Sequence, residues 1–146
     1  MAGIVFDTSV YVNAARTGDI RLFSQRWMQP PNDDRVLPIW LSSVVLEELY
    51  AGAIDAKATE GFKRFEAEFE KVNRLLVPIK NDWATTGRVL NKIGHKYGFE
   101  EIGRSRLTSD ALIAMTVART GMTLFTSNRK DFARIDEFRS FRWELV

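Results

Sequence analysis

Ile4-Val5-Phe6-Asp7-Thr8-Ser9 is the stretch that decides how this chain is read. A short apolar run ends in a carboxylate, and a Thr-Ser turn follows. Open α/β sheets present chemistry in this way: a buried strand delivers an acid at its C-terminal end, then turns into a helix. A strand is expected over residues 3–7, with Ser9 capping a short helix over 10–15. Asp7 suits that cap as well. Its meaning therefore depends on which other acids reach the same place.

Outward from this start, strand and helix patterns alternate. A second helical stretch follows Gly18-Asp19 through Leu22, Phe23 and Trp27, and Pro30-Pro31-Asn32-Asp33-Asp34 is a loop. Residues 36–41 read as a second strand, which Pro38 assigns to an edge or a bulge. Ser42-Ser43 cap a helix over 44–53. The next helix, over 56–73, has Phe62, Phe65, Phe69 and Val72 on one face and Lys63, Arg64, Glu66, Glu68 and Glu70 on the other. A strand over 75–79 leads to a helix capped by Asn81 or Asp82 that runs to residue 97. Residues 98–106 read as a loop. Thr108 or Ser109 caps a helix over 111–120, apolar almost all round and so expected to be buried, and Gly121 ends it. A strand over 122–126, a helical turn over 128–134 and an edge strand over 141–146 complete the chain. Alternation of this kind implies right-handed βαβ crossovers. The expected fold class is α/β, a three-layer α/β/α sandwich around a central, mainly parallel sheet. A length of 146 residues suits one domain over 1–146 with one core.

Composition narrows the chemistry. The absence of cysteine excludes disulfides and thiolate metal or redox sites. No apolar run is long enough to span a membrane, and the N-terminus lacks the regions of a signal peptide, so a cytoplasmic location is expected. A net charge of +2 permits a polyanionic partner without indicating one. There is one histidine, His95, near a polar helix end, where a surface role is expected. A two-histidine ribonuclease mechanism is therefore impossible within one chain. A Ser-His-Asp triad would need His95 itself; if the chain hydrolyses anything, carboxylates and a metal are the expected means.

Acids fall where strand ends and helix starts place them. Asp7 ends the first strand. Glu47 and Glu48 lie on the helix after the second. Asp110 opens the buried helix, and Asp131 follows the fourth strand. Loops at the C-terminal ends of a doubly wound sheet share one crevice. Carboxylates gathered there repel one another unless a cation is present, and oxygen ligands suit Mg²⁺ or Mn²⁺. Each acid also has an ordinary reading: a helix cap for Asp7, a macrodipole partner for Asp110, a solvated turn for Asp131. Glu47 and Glu48 flank the apolar face of their helix about equally, and periodicity does not choose between them.

Four segments carry a resemblance: Phe6-Asp7-Thr8-Ser9, Ser42-Ser43-Val44-Val45-Leu46-Glu47-Glu48-Leu49, Leu107-Thr108-Ser109-Asp110-Ala111-Leu112-Ile113-Ala114 and Thr126-Ser127-Asn128-Arg129-Lys130-Asp131-Phe132. In order and spacing they resemble the four acidic motifs of PIN-domain proteins, and most of all those of the VapC toxins of bacterial toxin–antitoxin pairs. The resemblance implies a metal-dependent endoribonuclease. It matches Asp7, Glu48 (the acid directly before a Leu), Asp110 and Asp131 to the acids that hold Mg²⁺ or Mn²⁺. It matches Thr126 and Asn128 to polar positions of the last motif, and leaves open whether Asn128 or Asp131 is the fourth site residue. Ser9 stands where many members have Asn. Asp110 or Asp131 is the candidate to orient or deprotonate a water. Arg104, Arg106, Arg129 and Lys130 flank the motifs as candidate RNA phosphate contacts. The family further implies an antitoxin partner and a homodimer. The Phe62-Phe65-Phe69 face is core by default, and part of it is a candidate antitoxin groove.

Two other readings compete. A haloacid-dehalogenase-type phosphatase also has an aspartate after its first strand, but wants a second one where Ser9 stands. A PIN-like or other α/β module without catalysis would act only through binding.

Overall fold

The computed structural model describes residues 3–18, 37–104 and 107–146. The expected helix through Leu22 and Trp27 and the Pro30-Pro31 loop lie outside these residues, as does Arg106. Five strands form one parallel sheet: β1 (Ile4–Phe6), β2 (Ile39–Ser42), β3 (Leu75–Leu76), β4 (Thr123–Thr126) and β5 (Arg142–Leu145), in the order β3-β2-β1-β4-β5. The helices are α1 (Thr8–Thr17), α2 (Ser43–Ala51), α3 (Ala56–Lys71), α4 (Lys80–Tyr97), α5 (Glu100–Arg104), α6 (Leu107–Thr120) and α7 (Arg129–Phe138).

The strand order explains the layers. From β1 the chain steps outward to β2 and β3, then returns to place β4 on the other side of β1. With right-handed crossovers, the change of direction moves the connecting helices from one face to the other. Accordingly α2 packs on α1 and α3, while α4, α6 and α7 pack against one another. β1, with helices over both faces, is wholly apolar and buried: Ile4, Val5 and Phe6. Helix α6 is buried nearly all round, from Leu107 through Ala111–Val117, as its composition requires. Gly121 ends it at a φ of 72°, a conformation that favours glycine, with its N–H on the Val117 carbonyl. Gly3 is fixed by packing: a Cβ there would lie 2.6 Å from the Trp40 indole.

Several expectations need correction. β2 is an interior strand, because Pro38 precedes it and contributes only its carbonyl, which accepts from the Ile4 N–H at 2.8 Å. β3 is two residues long and ends before Val77-Pro78. Glu100–Arg104 is helical where a loop was expected. Asp7, not Ser9, caps α1. Ile79 holds the N-cap position of α4, and Asp82 reaches back to its N–H at 2.9 Å. Helix α6 begins at Leu107, so Thr108 and Ser109 lie inside it. Helix α7 runs on to Phe138, because Phe132 and Ile135 continue its buried face. The α3 face joins the core as expected through Phe69, which is buried, and Phe62 and Phe65, which pack against it, but the helix ends at Lys71 and Val72 is exposed.

Candidate active site

The strand order reverses at the parallel pair β1 and β4, and the C-terminal ends of these strands open a crevice. A cleft of about 310 Å³ lies there, lined by Asp7, Thr8, Ser9, Val12, Asn13, Glu48, Asp110, Asn128 and Asp131. Four elements each bring one acid to it. Asp7 follows β1 directly. Ser42 caps α2 through the Val44 N–H, which sets the helical register that turns Glu48 inward. Glu47, one residue earlier, lines a different groove with Trp83, Pro78 and Ser109. Asp110 sits in the first turn of α6. Asp131 sits in the first turn of α7, whose N-cap is Asn128.

Hydrogen bonds hold the acids in place. Asp7 is 4% exposed. Its Oδ2 accepts from the Thr126 hydroxyl at 2.6 Å, and its Oδ1 from the Ser9 hydroxyl and the Val10 N–H. Asp7 is thus helix cap and cleft carboxylate at once. Thr8 Oγ1 donates to Glu48 Oε1 at 3.0 Å. The Asn128 amide nitrogen donates to Asp110 Oδ2 at 3.3 Å and to Asp131 Oδ2 at 3.1 Å.

The electrostatics carry the mark of crowding. Burial first, then the charges of Asp131, Asp7 and Glu48, push the Asp110 carboxyl up to about 8. Burial also raises Asp7, against the lowering effect of the Ser9 and Thr126 hydroxyls and the Val10 N–H. No three acids among the described residues already stand in a metal-ligand arrangement. Hydroxyl and amide donors occupy their oxygens instead. A cleft lined by four carboxyl groups, two of which (Asp7 and Asp110) are held toward the protonated form, is nonetheless the electrostatic complement of a hard divalent cation.

The remaining candidates fall in different places. Ser9 is half-buried in the cleft wall and also accepts from the Ser127 N–H. Thr126 is fully buried beneath Asp7, so it lies out of reach of a bound substrate and orients the carboxylate instead. Asn128 bridges two acids. Arg129 and Lys130 are exposed at the start of α7, beside the cleft. Arg104 is in α5 by its backbone. His95 is exposed in the last turn of α4 and does not line the cleft. The sequence reading missed Thr8 and Asn13. Helical geometry offered a signal for Asn13, which sits one turn beyond Ser9 on the same face.

A buried parallel sheet with a four-acid crevice at its switch point defines a class of carboxylate-bearing α/β proteins. The family model described as PIN domain matches residues 4–138, and the chain belongs to that family. Similar solved structures include a DNA-bound VapBC from Salmonella typhimurium (20% identity, 99% of this chain and 98% of that one, TM-score 0.69). VapBC2 from Rickettsia felis, bound to a promoter DNA fragment, is 21% identical over 100% and 99% of the two chains, with a TM-score of 0.68. VapBC-1 from nontypeable Haemophilus influenzae is 20% identical over 99% and 97%, with a TM-score of 0.66. Likeness at these identities is a likeness of fold. No curated relative matches the sequence.

Proposed function

We propose that this PIN-domain chain is a metal-dependent endoribonuclease and the toxin component of a toxin–antitoxin pair. The observation that carries the nuclease reading is the meeting of Asp7, Glu48, Asp110 and Asp131 in one cleft, where Asp110 is driven up to about 8. The toxin reading is supported by likeness over nearly whole chains to structures described as VapBC toxin–antitoxin systems. An antitoxin partner, a homodimer, a single domain over 1–146 and a cytoplasmic setting belong to the same proposal. No helix among the described residues is long and apolar enough to cross a membrane.

Asp7, Glu48, Asp110 and Asp131 would hold Mg²⁺ or Mn²⁺, which when bound supplies Lewis acidity at the scissile phosphate. The chain's own residues do the rest. Three donors fix the Asp7 carboxyl in the cleft wall against rotation. Asp131, half-buried in the cleft wall and steadied by the Asn128 amide, is placed to orient an attacking water. Asp110 would hold the ion as the carboxylate, the form that a neighbouring positive charge favours. Arg129 and Lys130 meet the RNA backbone beside the cleft.

Labelled RNA incubated with Mg²⁺ or Mn²⁺, with and without EDTA, tests this. Internal cleavage is expected, lost in EDTA and in Asp7→Asn. Equal cleavage by wild type and Asp7→Asn would overturn the assignment. RNA binding without cleavage in any metal would make the chain a binding module.

A further inference from the structure

We infer that Thr8 is a positioning residue for the cation site, acting by holding Glu48; the inference rests on the metal-dependent reading above. Thr8 is the first residue of α1, directly after Asp7, and is 8% exposed. Its hydroxyl crosses to another element and donates to Glu48 Oε1 at 3.0 Å, forty residues away in sequence. Glu48 lies on α2, which contributes no other acid to the cleft. The Thr8 hydroxyl is thus a contact made to this carboxylate from outside its own helix.

Chemistry makes the hydroxyl suitable. A carboxylate oxygen has more than one lone pair, so it can accept from Thr8 and still present acceptor capacity to a cation. A hydroxyl is a neutral donor, so it steadies the carboxylate without adding charge of its own. Thr8 is β-branched, and in a helix such a side chain has few rotamers. Its hydroxyl is accordingly held in place at little entropic cost. The Asp7-Thr8-Ser9 turn thus manages two acids: Ser9 steadies Asp7, its own neighbour, and Thr8 steadies Glu48 across the cleft.

Thr8→Val keeps the shape and removes the donor. Mn²⁺ binding is read by electron paramagnetic resonance of the free ion, well below the melting temperature, on wild type, Thr8→Val and Thr8→Ser. Thr8→Val should weaken Mn²⁺ about tenfold while its amide NMR fingerprint remains that of the folded protein. Thr8→Ser should restore wild-type affinity. A role in packing alone would lower the melting temperature without changing the affinity of the folded molecule. Equal Mn²⁺ affinity for Thr8→Val and wild type overturns this inference and leaves the metal reading standing. The same holds if Thr8→Ser loses affinity as Thr8→Val does, since the hydroxyl would then not suffice to hold Glu48. Wild type that binds no Mn²⁺ overturns both.

Discussion

Thr126 Oγ1 donates to Asp7 Oδ2 at 2.6 Å, joining the C-terminal ends of β4 and β1 beneath the cleft. The same hydroxyl oxygen accepts from the Asn128 N–H at 2.9 Å. One fully buried side chain therefore fixes both the first acid and the entry into α7. Thr126→Val removes a charge-assisted hydrogen bond and strands a backbone donor. It should cost about 1.5–3 kcal/mol of stability. Urea unfolding in EDTA measures this. A loss below about 0.5 kcal/mol would mean that water replaces the hydroxyl.

Asp110 ties stability to pH. Its carboxyl moves from an ordinary 3.8 to about 8 in the folded cleft. As pH rises from the lower value, the unfolded chain loses this proton first. The native state then binds more protons than the unfolded state, so stability falls with rising pH across that window. Below it the group costs nothing, and above it the full penalty stands. Ion-free wild type should therefore lose melting temperature between about pH 4 and 8, and Asp110→Asn should lose much less. Asp110→Asn should also abolish cleavage with the fold intact. Parallel melting curves for the two proteins would show that Asp110 bears no such repulsion.

The sequence carried most of this site because the acids sit at strand ends and helix starts, which local patterns reveal. Asp7 and Asp131 are examples: Asp7 directly follows an apolar run and caps a helix, and Asp131 follows the apolar run of β4 in the first turn of α7. What it could not supply was rotation. Glu47 and Glu48 are equivalent by periodicity, and only the register set by the Ser42 cap and the packing of Val45 and Leu49 sends one into the cleft. Pro38 misled for a related reason. Proline inside an interior strand would forfeit a ladder bond, but one residue outside the strand it costs nothing, and strand ends are not resolved by composition. Thr8 escaped notice because its partner is forty residues away.

Arg119 and Asp82 form a pair whose work is structural. Arg119 Nε lies 2.9 and 3.0 Å from the two Asp82 oxygens, linking α6 to α4. Asp82 is 3% exposed, whereas the arginine side chain is 35% exposed. Arg119→Met would leave a buried carboxylate with only the Ile79 N–H. Partial solvent access to the arginine reduces the usual cost of breaking a buried pair, to about 2–3 kcal/mol. Urea denaturation gives the value. RNA cleavage per folded molecule should be unchanged, because Arg119 lies at the far end of α6 from Asp110. A selective loss of cleavage would place the pair in the catalytic machinery.

Asp131 offers a direct reading of the charge network. After burial, its charge is the largest influence raising Asp110. Asp131→Asn removes that charge, and the new amide can still meet the Asn128 side chain. The Asp110 titration midpoint should therefore fall below about 8, yet stay above 3.8, because burial, Asp7 and Glu48 persist. Carbon-13 NMR of the aspartate carboxyls in ion-free protein follows this midpoint. Cleavage should drop at the same time if Asp131 orients the water, with Mn²⁺ affinity less affected than in Asp7→Asn. An Asp110 midpoint unmoved by the substitution would mean that the Asp131 charge does not reach Asp110, and that the two acids do not share a field.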